Sequence, residues 1–480
     1  MTMEDAMRQN TRQHGQDPVI DVEKLIDDAP LSAFQWTVFI MAFLIIAADG
    51  FDTGAMGFIA PSVANEWQVA RQSMGPVLSA ALFGMAIGAL IGGPLADRLG
   101  RKLLVWLTVL LFGGACLASA TSNGVAELVA WRFLTGLGLG AAMPNMLTLL
   151  AEYMPRRIRS TMVNLVCCAF PLGIAISGVT SSYLVDSEGW RSVLWAGGLF
   201  PLLLLGILFF ALPESLQFMA THEKAHEKIT HVVRKIQPDI VISGRAQFVA
   251  SATVVKEAAA TVQAASASTG LALIVSPQFR VGTLLLWVTC FMSLLVFYLM
   301  TSWLTTLLHV SGLAQAEASR ASAIFPVGGT VGAIAMGYLM DKVNSNRTLV
   351  LSYALAVFLL VLTGLFSGVA LLFGIGIFLS GAMIGGAQAS MPALTASFYP
   401  VEGRATGVSW MHGIGRLGAI AGTFIGAGLL SLNLSLTSIM LILAVPALIA
   451  SLALMLKGNI EQHARKSEQG GNLQPAGDLT

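Results

Sequence analysis

Two aspartates lie three residues apart in the middle of an apolar stretch of the sequence. Asp49 and Asp52 belong to segment 48–53, and an i, i+3 spacing places both side chains on one face of a helix. A charge at the centre of a bilayer costs about 2.5–3.5 kcal/mol, so such acids are candidate functional residues by default. Asp49 lies roughly 22 Å along the helix from Phe34 at 1.5 Å per residue, which is too deep for an acid that simply reaches water at the helix end. We therefore predict that Asp49 and Asp52 bind and release protons.

Arg132 is a cation at a similar predicted depth. It lies in the fourth apolar stretch, roughly 10 Å from the end of the helix, and Asp52 lies roughly 13 Å from the same side of the membrane. The matching depths predict an ion pair of Arg132 with Asp52 or with Asp49. Pairing favours the charged carboxylate and burial without a partner favours the protonated one. Such a pair can therefore act as a proton switch.

Arg416 is the second cation inside an apolar stretch. It lies roughly 18 Å from Arg404 at helical rise, near the middle of the membrane. A guanidinium there can bind a carboxylate through two parallel hydrogen bonds; the alternative is a structural pair with an acid on a neighbouring helix. His412, one turn before Arg416, is either a proton carrier or a polar contact.

Five further residues could line a binding site for a polar aromatic molecule. Gln388 and Asn145 could orient polar groups, although hydrogen bonding between helices is an equally ordinary role for such side chains. Phe83, Trp303 and Tyr298 could stack on a ring, but aromatic residues in membrane proteins more often serve packing or the interfacial belt. Both interpretations remain open at the level of sequence.

The composition argues against a soluble protein. The chain has 480 residues, of which 55% are hydrophobic and only 11% are charged, and its formal net charge is +1. So few charges cannot cover a water-facing surface, and the small net charge gives no reason to expect nucleic-acid binding. The four cysteines lack C-x-x-C spacing, so neither a disulfide framework nor a metal site is predicted. We also expect no cofactor and no enzyme activity, because the chain lacks a G-x-S-x-G motif and no nucleophile–base arrangement stands out in the sequence.

Twelve apolar stretches are long enough to cross a bilayer as helices. They span approximately 32–61, 73–96, 103–122, 125–150, 160–185, 191–212, 281–308, 318–340, 348–368, 369–395, 403–431 and 433–456. With the N-terminus inside, the inner segments carry 22 Lys and Arg residues and the outer loops carry 3. This asymmetry predicts that both termini are cytoplasmic.

The sequence repeats once. Four residues in and after the second stretch match four residues in and after the eighth at a constant offset of 244; these are Gly84, Gly88, Gly93 and Asp97, matched by Gly328, Gly332, Gly337 and Asp341. Arg159 matches Arg404 at offset 245. We predict an all-α protein of two parallel six-helix halves (31–212 and 281–457), with a tail at 1–30, a linker at 213–280 and a second tail at 458–480. The linker should contain a surface helix within 216–236, and segment 246–270 should be a spacer, with a weak helix as the alternative.

Glycines recur every four residues in two predicted helices. The two rows are Gly84, Gly88 and Gly92, and Gly418, Gly422 and Gly426. Small residues at this spacing let another backbone come close. The rows predict tight packing, and they are also compatible with a sliding surface between the two halves.

The loop after the second stretch carries an acid among cations. Residues 93–102 read GPLADRLGRK. An acid such as Asp97 is unfavourable at a helix C-terminus unless a cation compensates it. The segment resembles the loop motif between the second and third helices of the major facilitator superfamily, with a weaker copy at the repeat position. The resemblance implies a gating role for seven residues: Asp97, Arg98, Arg101, Lys102, Asp341, Lys342 and Arg404.

Four longer motifs narrow the resemblance. They are DGFDT at 49–53, MGFIAP at 56–61, RFLTGLGLGA at 132–141 and YPVEGRATGVSW at 399–410. Together they are similar to the aromatic acid:H⁺ symporter family, and within it to the bacterial 4-hydroxybenzoate/protocatechuate permeases. The resemblance implies twelve helices, a bacterial inner-membrane location, function as a monomer in the lipid bilayer, and proton-driven uptake of small aromatic carboxylates by alternating access. It also implies transport roles for Asp49, Asp52, Arg416 and the loop residues.

Other functions with the same architecture remain open. A proton-driven exporter of drugs or aromatic compounds would use the same buried acids in the same fold, and only the direction of flux distinguishes it. A sensor derived from a transporter is disfavoured, since no soluble output domain stands out in the sequence.

Overall fold

The computed structural model describes residues 19–220, 226–236, 247–249, 271–432 and 434–471. Twelve helices in these ranges are long and apolar enough to cross a membrane. They are α1 (Ala33–Glu66), α2 (Gly75–Leu99), α3 (Arg101–Ala120), α4 (Val125–Tyr153), α5 (Arg156–Glu188), α6 (Trp190–Ala211), α7 (Arg280–Val310), α8 (Gln315–Lys342), α9 (Ser345–Leu365), α10 (Ala370–Phe398), α11 (Val401–Ser431) and α12 (Leu436–Gly471). The predicted helical membrane fold is confirmed.

The helices form two six-helix halves, α1–α6 and α7–α12. We call the end of the bundle where α1 begins and the 213–280 segment joins the halves the linker end, and the opposite end the distal end. The start of α1 is fixed by a capping box, in which the Gln35 amide accepts from the Ser32 backbone N–H at 2.8 Å. Gln35 also donates to the Tyr153 carbonyl at 2.7 Å. This bond ties the start of α1 to the end of α4.

Glycines explain the closest helix pairs, and they do so in the same way in both halves. A side chain at Gly84 or Gly88 on α2 would collide with the α4 backbone, and one at Gly328 or Gly332 on α8 would collide with the α10 backbone. The matched positions therefore make matched contacts, as the sequence repeat requires.

The idea of a sliding surface between the halves is wrong for both glycine rows. The α2 row packs on α4, and the row at Gly418 and Gly422 on α11 packs on the Phe291 and Leu295 carbonyls of α7. Each row therefore lies inside one half, where a close backbone approach favours a rigid pair. The packing interpretation is the one that the structure shows.

Contacts between the halves concentrate toward the distal end. Gly57 on α1 faces Ser302 on α7, and Gly178 on α5 faces Ala323 on α8. A Cβ added at Gly75 on α2 would lie 3.1 Å from the Cβ of Ala427 on α11. On the linker side, positions 93, 337 and 413 face open space. These close contacts between the halves therefore lie toward the distal end, where they form a distal seal, and we infer that the cleft between the halves opens toward the linker end.

Gln315 at the start of α8 makes a hydrogen bond across this distal seal. Its Nε2 donates to the Phe58 carbonyl of α1 at 2.6 Å. Pro61 lies three residues further along α1, and a proline inside a helix disturbs the backbone hydrogen bonds of the preceding turn, so nearby side chains commonly bond to the carbonyls there. The bond must break when the distal ends separate.

Replacing Gln315 with leucine is therefore expected to shift the protein toward a distal-open state. A net hydrogen bond is worth about 0.5–1.5 kcal/mol, so the equilibrium should shift by about 2- to 12-fold. The measurement is the distance distribution between spin labels placed at the distal residues Asn65 and Ser431. Gln68→Leu is the matched control, because Gln68 bonds the Asn65 carbonyl at 2.7 Å within one half. An unchanged distribution in Gln315→Leu would contradict the role.

Short elements cover the linker end of the first half. Helices Val22–Asp28, Leu216–Ala220 and His226–Ile236 lie there, and Ile229 and Val233 of the last one are buried. The predicted surface helix is thus present as two helices within 216–236. Strands β1 (Val19–Asp21) and β2 (Gln247–Val249) pair in parallel, a small addition to the all-α fold. Most of tail 1–30 and of spacer 246–270 lies outside the described residues.

The last helix extends beyond its predicted end. α12 continues past residue 457 to Gly471, so the first part of the predicted tail is helical. Lys457 bonds Glu461 at 2.8 Å with i, i+4 spacing, an arrangement that stabilises helices modestly.

Candidate functional site

Asp52 and Arg132 form a buried ion pair. The Arg132 Nη1 lies 2.7 Å from Asp52 Oδ1, and Nη2 lies 2.9 Å from Oδ2 and 3.2 Å from the Asp52 carbonyl. The side chains are 0% and 1% exposed for Asp52 and Arg132. Of the two partners proposed from sequence, Asp52 is the one that pairs. The bidentate geometry fixes α1 against α4 and compensates both charges.

Asp49 is buried, and only one of its two carboxyl oxygens has a hydrogen-bond partner among the described residues. It is 2% exposed, and its Oδ1 accepts from the Thr53 hydroxyl at 3.3 Å. Its Oδ2 has no hydrogen-bond partner among the described residues. The negative charge of Asp52 and the positive charge of Arg416 both act on it. A buried carboxylate with one free oxygen and opposing charges nearby can change its protonation state with its surroundings.

Arg416 lies on α11 of the second half, near enough to Asp49 on α1 for its positive charge to act on that carboxyl. Its side chain is partly exposed, and no ion pair joins it to any acid in the described ranges. Tyr298 on α7 lies within the electrostatic reach of both Arg416 and Asp49. The structural pair considered as an alternative from sequence is thus not seen here, and the guanidinium can bind an anion that enters the cleft.

Helical rise places these groups in three layers. Measured from the linker ends of their helices, Gln388 and His412 lie at about 15–17 Å, Arg416 and Asp49 at about 22–24 Å, and Asp52 at about 28 Å. His412 is exposed and Arg416 acts on it electrostatically. An anion entering from the linker end would therefore meet His412 first and Arg416 next.

Gln388 on α10 belongs to the linker-side layer. Its Nε2 lies 3.8 Å from the Cys290 Sγ on α7, and its buried Oε1 has no hydrogen-bond partner among the described residues. Cys290 in turn contacts α11 at Gly415, next to Arg416. These contacts tie Gln388 on α10, through Cys290 on α7, to the part of α11 that carries Arg416.

Three predicted binding residues are placed elsewhere. Asn145 donates to the Ala141 carbonyl at 2.7 Å within the α2–α4 contact. Trp303 is 0% exposed, and its indole N–H donates to the Thr423 carbonyl at 2.8 Å between α7 and α11. Phe83 is 44% exposed and shares an apolar exposed stripe with Ile87. The structure thus gives Asn145 and Trp303 hydrogen bonds to helix carbonyls and leaves Phe83 exposed, and a role of these three residues in substrate binding stays a prediction.

The loop motif builds a network within the first half. Arg101 Nη1 lies 2.7 Å from Glu152 Oε1 at the end of α4, and Glu214 Oε1 accepts from the backbone N–H groups of Arg101 and Lys102 at 2.8 and 3.1 Å. Gly100, at φ 89°, makes the turn that exposes these N–H groups. Sequence reasoning missed Glu152 and Glu214, although two acids beside a cluster of cations were a usable signal.

The remaining gating candidates are exposed. These are Asp97, Arg98, Asp341 and Arg404, together with Lys342, which bonds the Tyr338 hydroxyl. No cation of the described ranges forms an ion pair with Asp97 or Asp341. Within the described ranges, Asp97 and Asp341 therefore form no latch between the halves in this structure.

A cavity of about 410 Å³ lies at the distal end, bordered by Asn65, Arg71, Leu307 and Leu434. It is remote from the acids in the helix interiors and lies outside the distal seal, so we regard it as a vestibule. The described residues contain no group of three His, Cys, Asp or Glu side chains that could hold a metal.

Known proteins with a similar sequence pattern or fold share this twelve-helix architecture. The sequence pattern of the Major Facilitator Superfamily matches residues 41–361 and 311–478. Among solved structures, the xylose transporter XylE from E. coli in a partially occluded inward-open conformation superposes with a TM-score of 0.66 at 17% identity, covering 94% of this chain and 100% of that one. A D-xylose-proton symporter gives 0.65 at 15% identity, covering 88% and 97%.

Relatives of higher identity span nearly the whole chain. The 4-hydroxybenzoate transporter PcaK of Pseudomonas aeruginosa is 46% identical over 92% of this chain and 96% of its own length. The gallate transporter of Pseudomonas putida is 43% identical, over 94% and 96%. The benzoate transport protein of Acinetobacter baylyi is 32% identical, over 91% and 92%.

Proposed function

Because the chain belongs to the major facilitator superfamily, we propose that it imports small aromatic carboxylates together with protons across the bacterial inner membrane. The names of its relatives, which transport 4-hydroxybenzoate, gallate and benzoate, support the substrate class. The observation that carries the proposal is the arrangement of Arg416, without an acidic partner in the described residues, opposite the half-satisfied Asp49. An anion site and a proton site thus face each other across one cleft.

The coupling follows from competition for one guanidinium. When Asp49 is ionised, its negative charge attracts Arg416 and repels a carboxylate that approaches it. When Asp49 is protonated, Arg416 is available to hold the substrate carboxylate through two hydrogen bonds. Binding of the proton and of the anion then favour each other, and this linkage is reciprocal. Proton and substrate therefore cross together as the halves alternate between distal-open and linker-open states.

Asp52 is the less suitable proton carrier of the two acids. Its protonation would leave Arg132 as an uncompensated cation at 1% exposure, a costly state. We assign proton exchange to Asp49, and to Asp52 and Arg132 the positioning of Asp49 on the cleft side of α1. We further propose that His412, on the linker side of Arg416, passes protons between Asp49 and water.

The contribution of the membrane potential to transport depends on how many protons accompany each substrate monoanion. One proton carried with one monoanion moves no net charge, whereas each further proton would contribute about 2.3 kcal/mol per 100 mV of membrane potential. We place the linker end in the cytoplasm, since the positively charged segments lie there. The Arg101–Glu152 network would hold the first half rigid as the linker end closes, and a monomer suffices because one chain supplies both halves.

The proposal is tested by transport in liposomes that contain the purified protein. The initial uptake rate of labelled 4-hydroxybenzoate, above that of protein-free liposomes, should rise when the external side is made acidic. Protein-free liposomes are essential because protonated aromatic acids cross lipid unaided. Efflux that is driven by the same inward proton gradient would instead identify an exporter, and a rate insensitive to the gradient would remove proton coupling.

Arg416→Lys separates a bidentate clamp from a simple positive charge. Lysine keeps the charge but cannot make two parallel hydrogen bonds to a carboxylate, and a charge-assisted bond is worth about 1.5–3 kcal/mol. The dissociation constant for 4-hydroxybenzoate, measured by calorimetry, should therefore rise by about 10- to 100-fold. Wild-type affinity in the lysine variant would contradict the clamp. Arg347→Lys, at an exposed arginine of α9 to which no transport role is assigned, is the matched control.

A further inference from the structure

Gln388 carries a buried acceptor that nothing in the described protein satisfies. Its Nε2 contacts Cys290 at 3.8 Å, while its Oε1 has no hydrogen-bond partner. An unsatisfied buried polar atom is unfavourable and calls for an explanation, such as a bound group that completes it. Since a carbonyl oxygen only accepts, the missing group must be a hydrogen-bond donor.

The position of Gln388 relative to Arg416 limits what that donor can be. Gln388 and Arg416 differ in depth by about 7 Å, taken from 1.5 Å per residue along α10 and α11. They are linked laterally through Cys290, whose sulfur touches α11 at Gly415. The separation is comparable to the distance between the carboxylate and a meta or para substituent of one benzene ring. A donor on the far side of a ring held by Arg416 would therefore approach the Gln388 amide.

Other polar side chains near the cleft fit this task less well. His412 lies at a similar depth but is exposed, so a hydroxyl bonded there replaces water and gains little selectivity. Tyr298 lies at the level of Arg416 and Asp49, at the carboxylate end of the site. Of the three, Gln388 is the one with a buried, unpartnered acceptor atom at the depth of a ring substituent.

We propose that Gln388 determines specificity for ring-hydroxylated substrates, by accepting a hydrogen bond from a 3- or 4-hydroxyl group while Arg416 holds the carboxylate. The inference rests on the proposed function and assigns recognition of the ring hydroxyl to one residue of this chain. Unsubstituted benzoate would leave the Oε1 unpaired in a site now closed to water. A binding site built to hydrogen-bond a hydroxyl rejects analogues that lack it.

The test is the ratio of dissociation constants for benzoate and 4-hydroxybenzoate, measured by calorimetry on the full-length protein. The wild type should prefer 4-hydroxybenzoate by about tenfold or more, corresponding to one hydrogen bond in a desolvated site. In Gln388→Met, which keeps the length but not the acceptor, the ratio should fall to near one, with benzoate binding retained. Thr305→Val is the matched control, since Thr305 also has a buried unpartnered oxygen but lies near the distal end of α7.

The outcomes separate the inference from the proposed function. If the wild type binds and transports neither acid, the proposed function fails. If it binds both and Gln388→Met keeps the wild-type ratio, or if the wild type shows no preference, only the role of Gln388 fails. Should Gln388→Met not fold, Gln388→Asn, shorter by one methylene, must show a reduced ratio; an unchanged ratio there overturns the proposal.

Discussion

In the Asp49→Asn variant, the affinity for aromatic carboxylates is expected to lose its dependence on pH. In the wild type, protonation of Asp49 removes the negative charge that acts on Arg416, so anion binding should strengthen as the pH falls. One coupled proton allows a change of up to about tenfold per pH unit. Asparagine resembles the protonated acid permanently, so the variant should bind tightly at every pH. Calorimetric titrations of 4-hydroxybenzoate across the pH range measure the difference.

The same substitution should separate coupled transport from exchange. Without a group that gains and loses a proton, an acidic exterior should no longer accelerate net uptake, and the gradient-dependent rate should fall at least about tenfold. Exchange of labelled for unlabelled substrate at equal pH should persist, because it needs no proton release. Because Asp49 Oδ2 has no partner in the described structure, the loss of its charge should not unfold the protein.

Thr53→Val is the matched control for Asp49→Asn. It removes the 3.3 Å hydrogen bond to Asp49 Oδ1 but leaves the carboxylate, so the pH dependence should be retained. A pH-dependent affinity in Asp49→Asn, with the same slope as the wild type, would exclude Asp49 as the coupled group. His412 would then be the next candidate, since it shares the cleft with Arg416.

The sequence predicts the fold well for reasons specific to membranes. Backbone groups in lipid must be satisfied within the helix, so long apolar stretches have essentially one outcome. The repeat also predicts contacts, since Gly84 and Gly328 meet equivalent carbonyls of α4 and α10. Composition alone thus determines the helices, and the repeated glycines determine two of their closest pairs.

The lateral order of the helices is what the sequence leaves open. The depth of a residue in the membrane follows from its number along the helix, so the sequence predicts that Arg132 lies at the level of Asp49 and Asp52. The rotation of α1 against α4 decides which aspartate pairs with Arg132. The structure shows that it is Asp52. Trp303 was a possible substrate contact for the same reason, because no pattern reveals that Thr423 lies beside its indole.

The networks at the helix ends were the hardest to predict. Glu152 and Glu214 lie far apart in sequence, yet both meet the turn that contains Arg101. Their convergence depends on where α4 and α6 end relative to that turn. Charge counting shows the surplus of cations at this end but not which acids pair with them.

Removal of Arg132 alone is expected to destabilise the protein more than removal of both members of its pair. Arg132→Leu would leave Asp52 ionised at 0% exposure, and breaking a buried ion pair in this way typically costs about 3–5 kcal/mol. The Asp52→Leu/Arg132→Leu double variant leaves no uncompensated charge, and apolar replacement of a buried pair is often neutral or stabilising. Melting temperatures of the purified proteins, followed by tryptophan fluorescence, should fall for the single variant and recover in the double variant.

Transport by the double variant then separates positioning from proton exchange. If Asp49 is the proton carrier and the pair only anchors α1 to α4 through its three hydrogen bonds, a folded double variant should still take up substrate faster when the exterior is acidic. Its absolute rate can fall, since leucines hold α1 less specifically than a bidentate contact. The ratio of rates with and without the gradient isolates coupling from this loss. A stable double variant with a ratio of one would place Asp52 and Arg132 in the proton path, and proton exchange would then have to involve both aspartates of α1.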